Sequence, residues 1–171
     1  MGALTLREVA PLIAAIVIAG RSASSFTAQI GVMKITEEID AMRTMGFDPF
    51  YFLAMPRIIA MVLIMPLVIF IADSVSIFAQ MIVCDAYLDI AFSDYLDRFK
   101  ASVELRHFLV GVIKAPFFGA FIAIIGCMRG FEVKGNTQSI GEYTTISVVN
   151  AIFWVIAIDA VFAVLFSEIG L

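Results

Sequence analysis

Four ionisable residues stand where a bilayer would surround them. Arg21, Asp73, Lys114 and Asp159 lie within or beside long apolar runs. A charge at mid-bilayer costs roughly 2.5–3.5 kcal/mol on insertion scales, so each must face protein or water. Such groups can line a polar path or a gate. They can equally form interhelix ion pairs that fix packing, or snorkel to an interface. Arg21 stands apart, because it sits among Ser22, Ser24, Ser25 and small apolar residues. Its guanidinium could grip a phosphate bidentately, or pair with an internal carboxylate or helix carbonyls. Nucleophilic catalysis finds less support. The serines need a base, and the only histidine, His107, lies far along the chain. Cys84 and Cys127 fall in apolar runs and read as small buried hydrophobes. No cluster has metal-ligand spacing, and no glycine-rich phosphate loop is present. No metal or cofactor is therefore expected.

The elements that position these residues follow from composition. Of 171 residues, 62% are apolar and 15% charged, against about 45–50% and 25% in an average soluble domain. The net charge of −4 argues against a nucleic-acid partner, which would require a basic stripe. A spanning helix needs about 20 mostly apolar residues. Runs at 58–84, 108–128 and 146–166 qualify. A shorter run at 9–20 continues past Arg21 through small, weakly polar residues to Met33. The fold predicted is all-α: a polytopic membrane bundle forming one domain over 1–171. Its spans are expected near 9–33, 53–84, 108–128 and 146–167, with Pro66 a place for a kink. The opening MGALTLREVAP lacks the basic start and small-residue cleavage site of a secretory leader.

Polar segments separate the spans. In 34–46, Ile35, Ile39 and Met42 recur at helical spacing, with Glu37, Glu38, Asp40 and Arg43 at other positions. Gly46 is a candidate cap and Pro49 a stop. This helix is too short and too charged to span, so it should lie on the membrane face or dock on a partner. In 85–107, Phe92, Leu96, Phe99 and Val103 can share one face of an interfacial helix. The segment 130–145 carries turn signals at Gly135, Asn136 and Gly141. Two ladders of small residues predict close helix packing: Ala15, Ala19, Ala23, and Gly111, Ala115, Gly119, Ala123. The first could also leave room for an acyl chain or a symmetry-related helix. With Ile18, Arg21, Ser22 and Gln29, it makes 9–33 the expected polar wall or gate of the bundle.

Several blocks point to a family. PLIAAIVIAGR at 11–21, AQIGVMKITEEIDAM at 28–42, MGFDP at 45–49 and PR at 56–57 resemble the MlaE (YrbE) permeases, membrane subunits of MCE-type ABC lipid transporters. GVIK at 111–114, FFG at 117–119, GEYTT at 141–145 and Asp159 extend the likeness over nearly the whole chain. Gln29 replaces a usual glutamate, and Tyr143 a common alanine. The family also has a further N-terminal portion, so the chain begins at what looks like the following helix. The resemblance implies a homodimer in the bacterial inner membrane. It implies an MlaF-type ATPase, an MlaB-type STAS-domain protein and a periplasmic MlaD-type MCE protein as partners. The cargo would be phospholipid or another hydrophobic lipid. Segments 34–56 and 130–145 would be cytoplasmic, and 85–107 periplasmic. Glu37, Glu38, Asp40, Met42 and Arg43 would then form a coupling helix against the ATPase.

Two other readings stay open at this stage: an intramembrane enzyme of lipid metabolism, and a structural membrane subunit. The missing catalytic cluster weighs against the first. The charged, non-spanning helix weighs against the second.

Overall fold

The structure is a computed structural model that describes residues 5–88, 92–102 and 105–169. Every regular element among the described residues is helical. A π-helical turn at Thr5–Val9 leads into α1, Ala10–Ile35, which contains a second such turn at Ala19–Ala23. A short α2 follows at Glu38–Thr44. A third π-helical turn, Phe50–Ala54, opens onto α3, Met55–Leu88. α4 covers Phe92–Ser102, α5 Leu105–Glu132 and α6 Thr137–Ile169. Among the described residues, four helical stretches are long and apolar enough to cross a membrane: Ala10–Ile35, Phe50–Tyr87, Phe108–Glu132 and Thr137–Glu168.

α5 is the central post, with 50% of its apolar window buried. Its small residues allow this. A Cβ on Gly119 would meet Met61 O at 2.5 Å, so α3 passes directly against that point. A Cβ on Gly126 would lie 3.0 Å from the Ala23 Cα, and one on Gly130 2.7 Å from the Ile30 Cβ. The contacts climb together along α1 and α5, which run parallel, whereas α3 runs antiparallel to both. Without a hydrophobic force between helices in lipid, such backbone approach is what holds a bundle together. Met61, Met65 and Ile69 of α3 share the resulting core with Ala15, Ala19, Ala23, Ala115, Phe118, Ile122, Ala151 and Val155. Large side chains point outward instead, with Leu63, Leu67, Phe70, Val75, Phe153 and Val164 all more than half exposed. That surface suits lipid as its solvent.

The boundaries correct two expectations. The helix expected over 34–46 is broken: α1 continues through Ile35, and Glu37 takes a left-handed conformation at φ 61° before α2 begins. Thr36 ends α1 by donating Oγ1 to Val32 O at 3.0 Å. Gly46, at φ 84°, lies just beyond α2, where a left-handed residue is favoured. The turn expected over 130–145 shrinks, because Gly130 lies inside α5 and Gly141 inside α6. Gly130 is small because Ile30 packs on it, not because the chain turns there. The real turn is at Asn136, whose Oδ1 accepts from Ser139 N at 2.8 Å and caps α6. α3 stays helical on both sides of Pro66.

Candidate functional site

Three of the described residues form a buried ion cluster between helices. Lys114 on α5 is fully buried, and its Nζ donates to Glu8 Oε2 at 2.9 Å and to Asp159 Oδ1 at 3.0 Å. The Glu8 and Asp159 side chains are 26% and 13% exposed. An ammonium inside a bundle needs such partners, and here the cluster ties the Thr5–Val9 turn to α5 and α6. Lys114 and Asp159 thus meet as an interhelix pair. Glu8 had no signal beyond an acidic residue at the edge of the first apolar run.

Asp73, also deep in the apolar core, sits differently. It is 1% exposed, and neither carboxyl oxygen has a hydrogen-bond partner among the described residues. It continues the Met61–Met65–Ile69 stripe by one turn. Arg57 is a second partly orphaned group, with Nη1 buried and without a hydrogen-bond partner among the described residues while the guanidinium lies over the Phe26 ring, 5.5 Å from its centroid.

α1 presents two faces of opposite character. Ala15, Ala19 and Ala23 are fully buried against the rest of the bundle. This corrects the expectation that they leave room for a lipid: the chain's own α5 and α6 occupy that space. Thr27 reinforces the contact, its Oγ1 lying 2.8 Å from Gly126 O and 2.9 Å from Ala23 O. Ser147 of α6 reaches the same Ala23 carbonyl at 3.3 Å. The opposite row runs Val9, Ile13, Val17, Arg21, Ser25 and Gln29, all exposed and four residues apart. Its apolar half gives way to its polar half at the Ala19–Ala23 π-helical turn, where the helix widens and frees carbonyls. Ser24 Oγ lies 2.7 Å from one of these, Gly20 O, and 2.9 Å from Arg21 O. Ser25 accepts from Gln29 Nε2 at 3.4 Å. Ile18 and Ser22 are half-buried flanks of the row.

At the end of the bundle where α1 finishes, α2 buries Ile39 and half-buries Met42, while Glu37, Glu38, Asp40 and Arg43 are exposed. Arg43 and Asp40 form a loose surface pair at 3.7 Å, worth little on its own. Lys34 donates Nζ to Phe131 O, fastening the end of α1 to the end of α5. Arg129 grips Glu132 at 2.5 Å. With its amide oxygen turned inward, Asn150 also accepts from Arg129 Nη2 at 2.7 Å. The short helix is therefore seated on a rigid floor.

The interfacial helix expected within 85–107 is described in part. α4 carries Leu96 and Phe99, and Tyr95 donates to Gln80 of α3 at 2.9 Å. Val103 and the side chains of Phe92 and His107 lie outside the described residues. The described residues contain no group of three or more His, Cys, Asp and Glu arranged to hold a metal ion.

The family described as Permease MlaE matches residues 1–165. The chain belongs to the MlaE permease family. A probable ABC transporter permease protein of Rickettsia typhi is 34% identical over 145 residues, covering 85% of this chain and 56% of the relative. A probable ABC transporter permease protein of Synechocystis is 34% identical over 146 residues, with the same coverage of 85% and 56%. The chloroplastic protein trigalactosyldiacylglycerol 1 of Arabidopsis thaliana is 32% identical over 162 residues, covering 95% of this chain and 46% of the relative. The chain thus spans about half the length of the curated relatives it matches. Family membership and the four apolar helices together make this a multi-pass membrane protein. In this MlaE-family chain, Glu8, Asp73, Arg57, Thr27 and Ser147 are polar positions that sequence reasoning did not single out or did not place. Glu8, Thr27 and Ser147 matter through partners 99 or more residues away, and Asp73 and the Nη1 of Arg57 through having no hydrogen-bond partner among the described residues.

Proposed function

We propose that this protein is the membrane subunit of an ABC transporter that moves phospholipid or another hydrophobic lipid. ATP hydrolysis belongs to a separate chain. The observation that carries the reading is α2: a seven-residue helix with Ile39 seated in the bundle and its acidic and basic residues outward. Such a helix can pass the movement of a docked ATPase into α1 and α3, between which it lies. The relatives named as ABC transporter permeases support this. A relative named for the glycolipid trigalactosyldiacylglycerol supports a lipid cargo.

In this reading, two copies pair in a bacterial inner membrane with α2 and the Asn136 turn cytoplasmic. An MlaF-type ATPase meets Glu37, Glu38, Asp40 and Arg43. An MlaB-type STAS protein accompanies it, and an MlaD-type MCE protein sits at the periplasmic end near α4. A lipid is mostly acyl chain, so its path needs little specific polar chemistry. The outward row of α1 is the wall it would follow, with Arg21 placed to meet a phosphate.

The test is co-purification with the ATPase and lipid-stimulated ATP hydrolysis. The double reversal Glu38→Lys with Asp40→Lys should leave membrane insertion intact. It should lower complex yield and stimulated activity at least about tenfold, because like charges across an interface cost several kcal/mol. Unchanged yield and activity would remove α2 from the contact.

A further inference from the structure

The segment that joins α2 to α3 is aromatic and faces outward. Phe47, Phe50, Tyr51 and Phe52 are each 45–64% exposed. Their rings pair edge to face, Phe47 with Phe52 at 4.9 Å between centroids and Phe50 with Tyr51 at 6.0 Å. A contiguous apolar patch of this kind marks a surface that something covers. Three observations identify the cover. First, Phe52 heads a row that continues at helical spacing through Ile59, Leu63, Leu67 and Phe70, all more than half exposed. That row is the lipid-facing side of α3, and its cover extends to Phe52. Second, Phe50 borders one cavity with Ile124, Met128, Phe131 and Glu132, so the rings stand level with the last turns of α5. Charge returns at that level, where Lys34 reaches Phe131 O and Arg129 meets Glu132. The change from apolar to charged marks the edge of the hydrocarbon core, and amphipathic aromatic rings gather there. Third, the apolar stretch Phe50–Tyr87 has 38 residues. At 1.5 Å per residue that is about 57 Å, against a core of about 30 Å. The stretch overhangs the core, which leaves its aromatic end free to lie at headgroup depth.

We infer that Phe47, Phe50, Tyr51 and Phe52 dock on the bilayer itself, seated at the headgroup–acyl boundary of the leaflet on the α2 side. Phe47 carries the contact to α2: its N donates to Met42 O at 3.0 Å while its ring packs on Phe52. Asp48 is the one charged residue between Gly46 and Pro56. Its Oδ1 turns back to accept from Phe50 N at 2.9 Å, which keeps the turn compact beside the rings. Aromatic rings seated in this way anchor a peripheral helix at the interface. α2 is thus propped on lipid from one side, while Glu37, Glu38, Asp40 and Arg43 stay outside the bilayer. The inference goes beyond the transport reading, because it needs neither an ATPase nor a cargo.

The experiment uses the full chain in phosphatidylcholine vesicles. Trp154→Phe removes the single tryptophan, and Tyr51→Trp or Phe52→Trp then supplies one fluorescent reporter at a time. Quenching is measured with phosphatidylcholines brominated either near the glycerol end or near the methyl end of the acyl chain. Both reporters should be quenched most by the glycerol-end bromines. Their depth should be about 15 Å from the bilayer centre, half the hydrocarbon thickness. A Glu38→Trp reporter in the same background should escape quenching. Two ring positions keep the test open if one variant fails to fold. In folded protein, a reporter at either ring position that no bromine quenches overturns the inference, whether water or a second copy then covers the rings. Stronger quenching from the methyl-end bromines also overturns it, since the rings would lie in the core. So does quenching of Glu38→Trp equal to theirs, since all of α2 would then lie in the membrane.

Discussion

Lys114→Met isolates the energetics of the intramembrane cluster. Methionine keeps most of the volume and flexibility of the lysine stem, so the main loss is the ammonium. In the parent, Nζ is fully enclosed and touches carboxylates at 2.9 and 3.0 Å. Each contact is worth about 5.5 kcal/mol at an effective dielectric of 20. Desolvation of three ions offsets most of that, so the intact cluster contributes little net stability. Removing the cation is another matter. Glu8 and Asp159 then face one another with no charge between them, in a site where removing one partner of a buried pair costs about 3–5 kcal/mol. Glu8 is a quarter exposed and can turn partly to water, which favours the lower end, about 3 kcal/mol. For a chain of this length that is roughly 6–12 °C in apparent Tm.

The assay is thermal unfolding of the purified protein in lipid nanodiscs, followed by near-UV circular dichroism. The comparison that decides the cause is the charge-free triple variant Glu8→Gln, Lys114→Met, Asp159→Asn. If uncompensated charge is the reason, the triple variant recovers at least half of the loss. A single variant melting within about 2 °C of the parent, on the same conversion, would refute the reasoning. So would a triple variant no more stable than the single, since lost packing would then be the cause.

Gly119→Leu should separate α5 from α3, because even a Cβ there meets Met61 O at 2.5 Å. Expected destabilisation is about 3 kcal/mol or more, beyond ordinary overpacking because the obstacle is backbone; Gly20→Ala, with nothing within 4 Å, is the control in the same melt. Arg21→Ala should leave the melt of the single chain nearly unchanged, since Arg21 is exposed. The same variant should reduce lipid transfer between vesicles in the assembled transporter, and unaltered transfer would make the outward row of α1 structural.

The lengths of the apolar runs were enough to find the spanning helices, because a bilayer imposes length more strictly than any propensity does. Their ends were less legible. α6 begins nine residues before its apolar run because Asn136 caps it, and a cap is a matter of one side chain. The break at Glu37 left no trace, since a left-handed glutamate is dictated by the chain's change of direction and not by its own preference. Lys114 and Asp159 could be read singly as buried charges, but their meeting with Glu8 spans separations of 45 and 106 residues. A local pattern cannot carry that.

The small-residue ladders show most plainly what spacing can and cannot say. Spacing at i, i+4 identifies a face on which backbones can approach, but not which backbone arrives. On α5 the approaching element is α3 at Gly119 and α1 at Gly126 and Gly130. On α1 the alanine face is filled from within the chain, so the face left for function is the opposite one. There the row from Val17 to Gln29 passes from apolar to polar through Arg21, within a widened turn. An exposed guanidinium in a spanning helix would cost roughly 2.5–3.5 kcal/mol against lipid. Protein, water or a phosphate must therefore meet it in the assembled protein. The buried face secures α1 in the bundle, and that leaves the outward face free to carry a polar row where the membrane would otherwise forbid one.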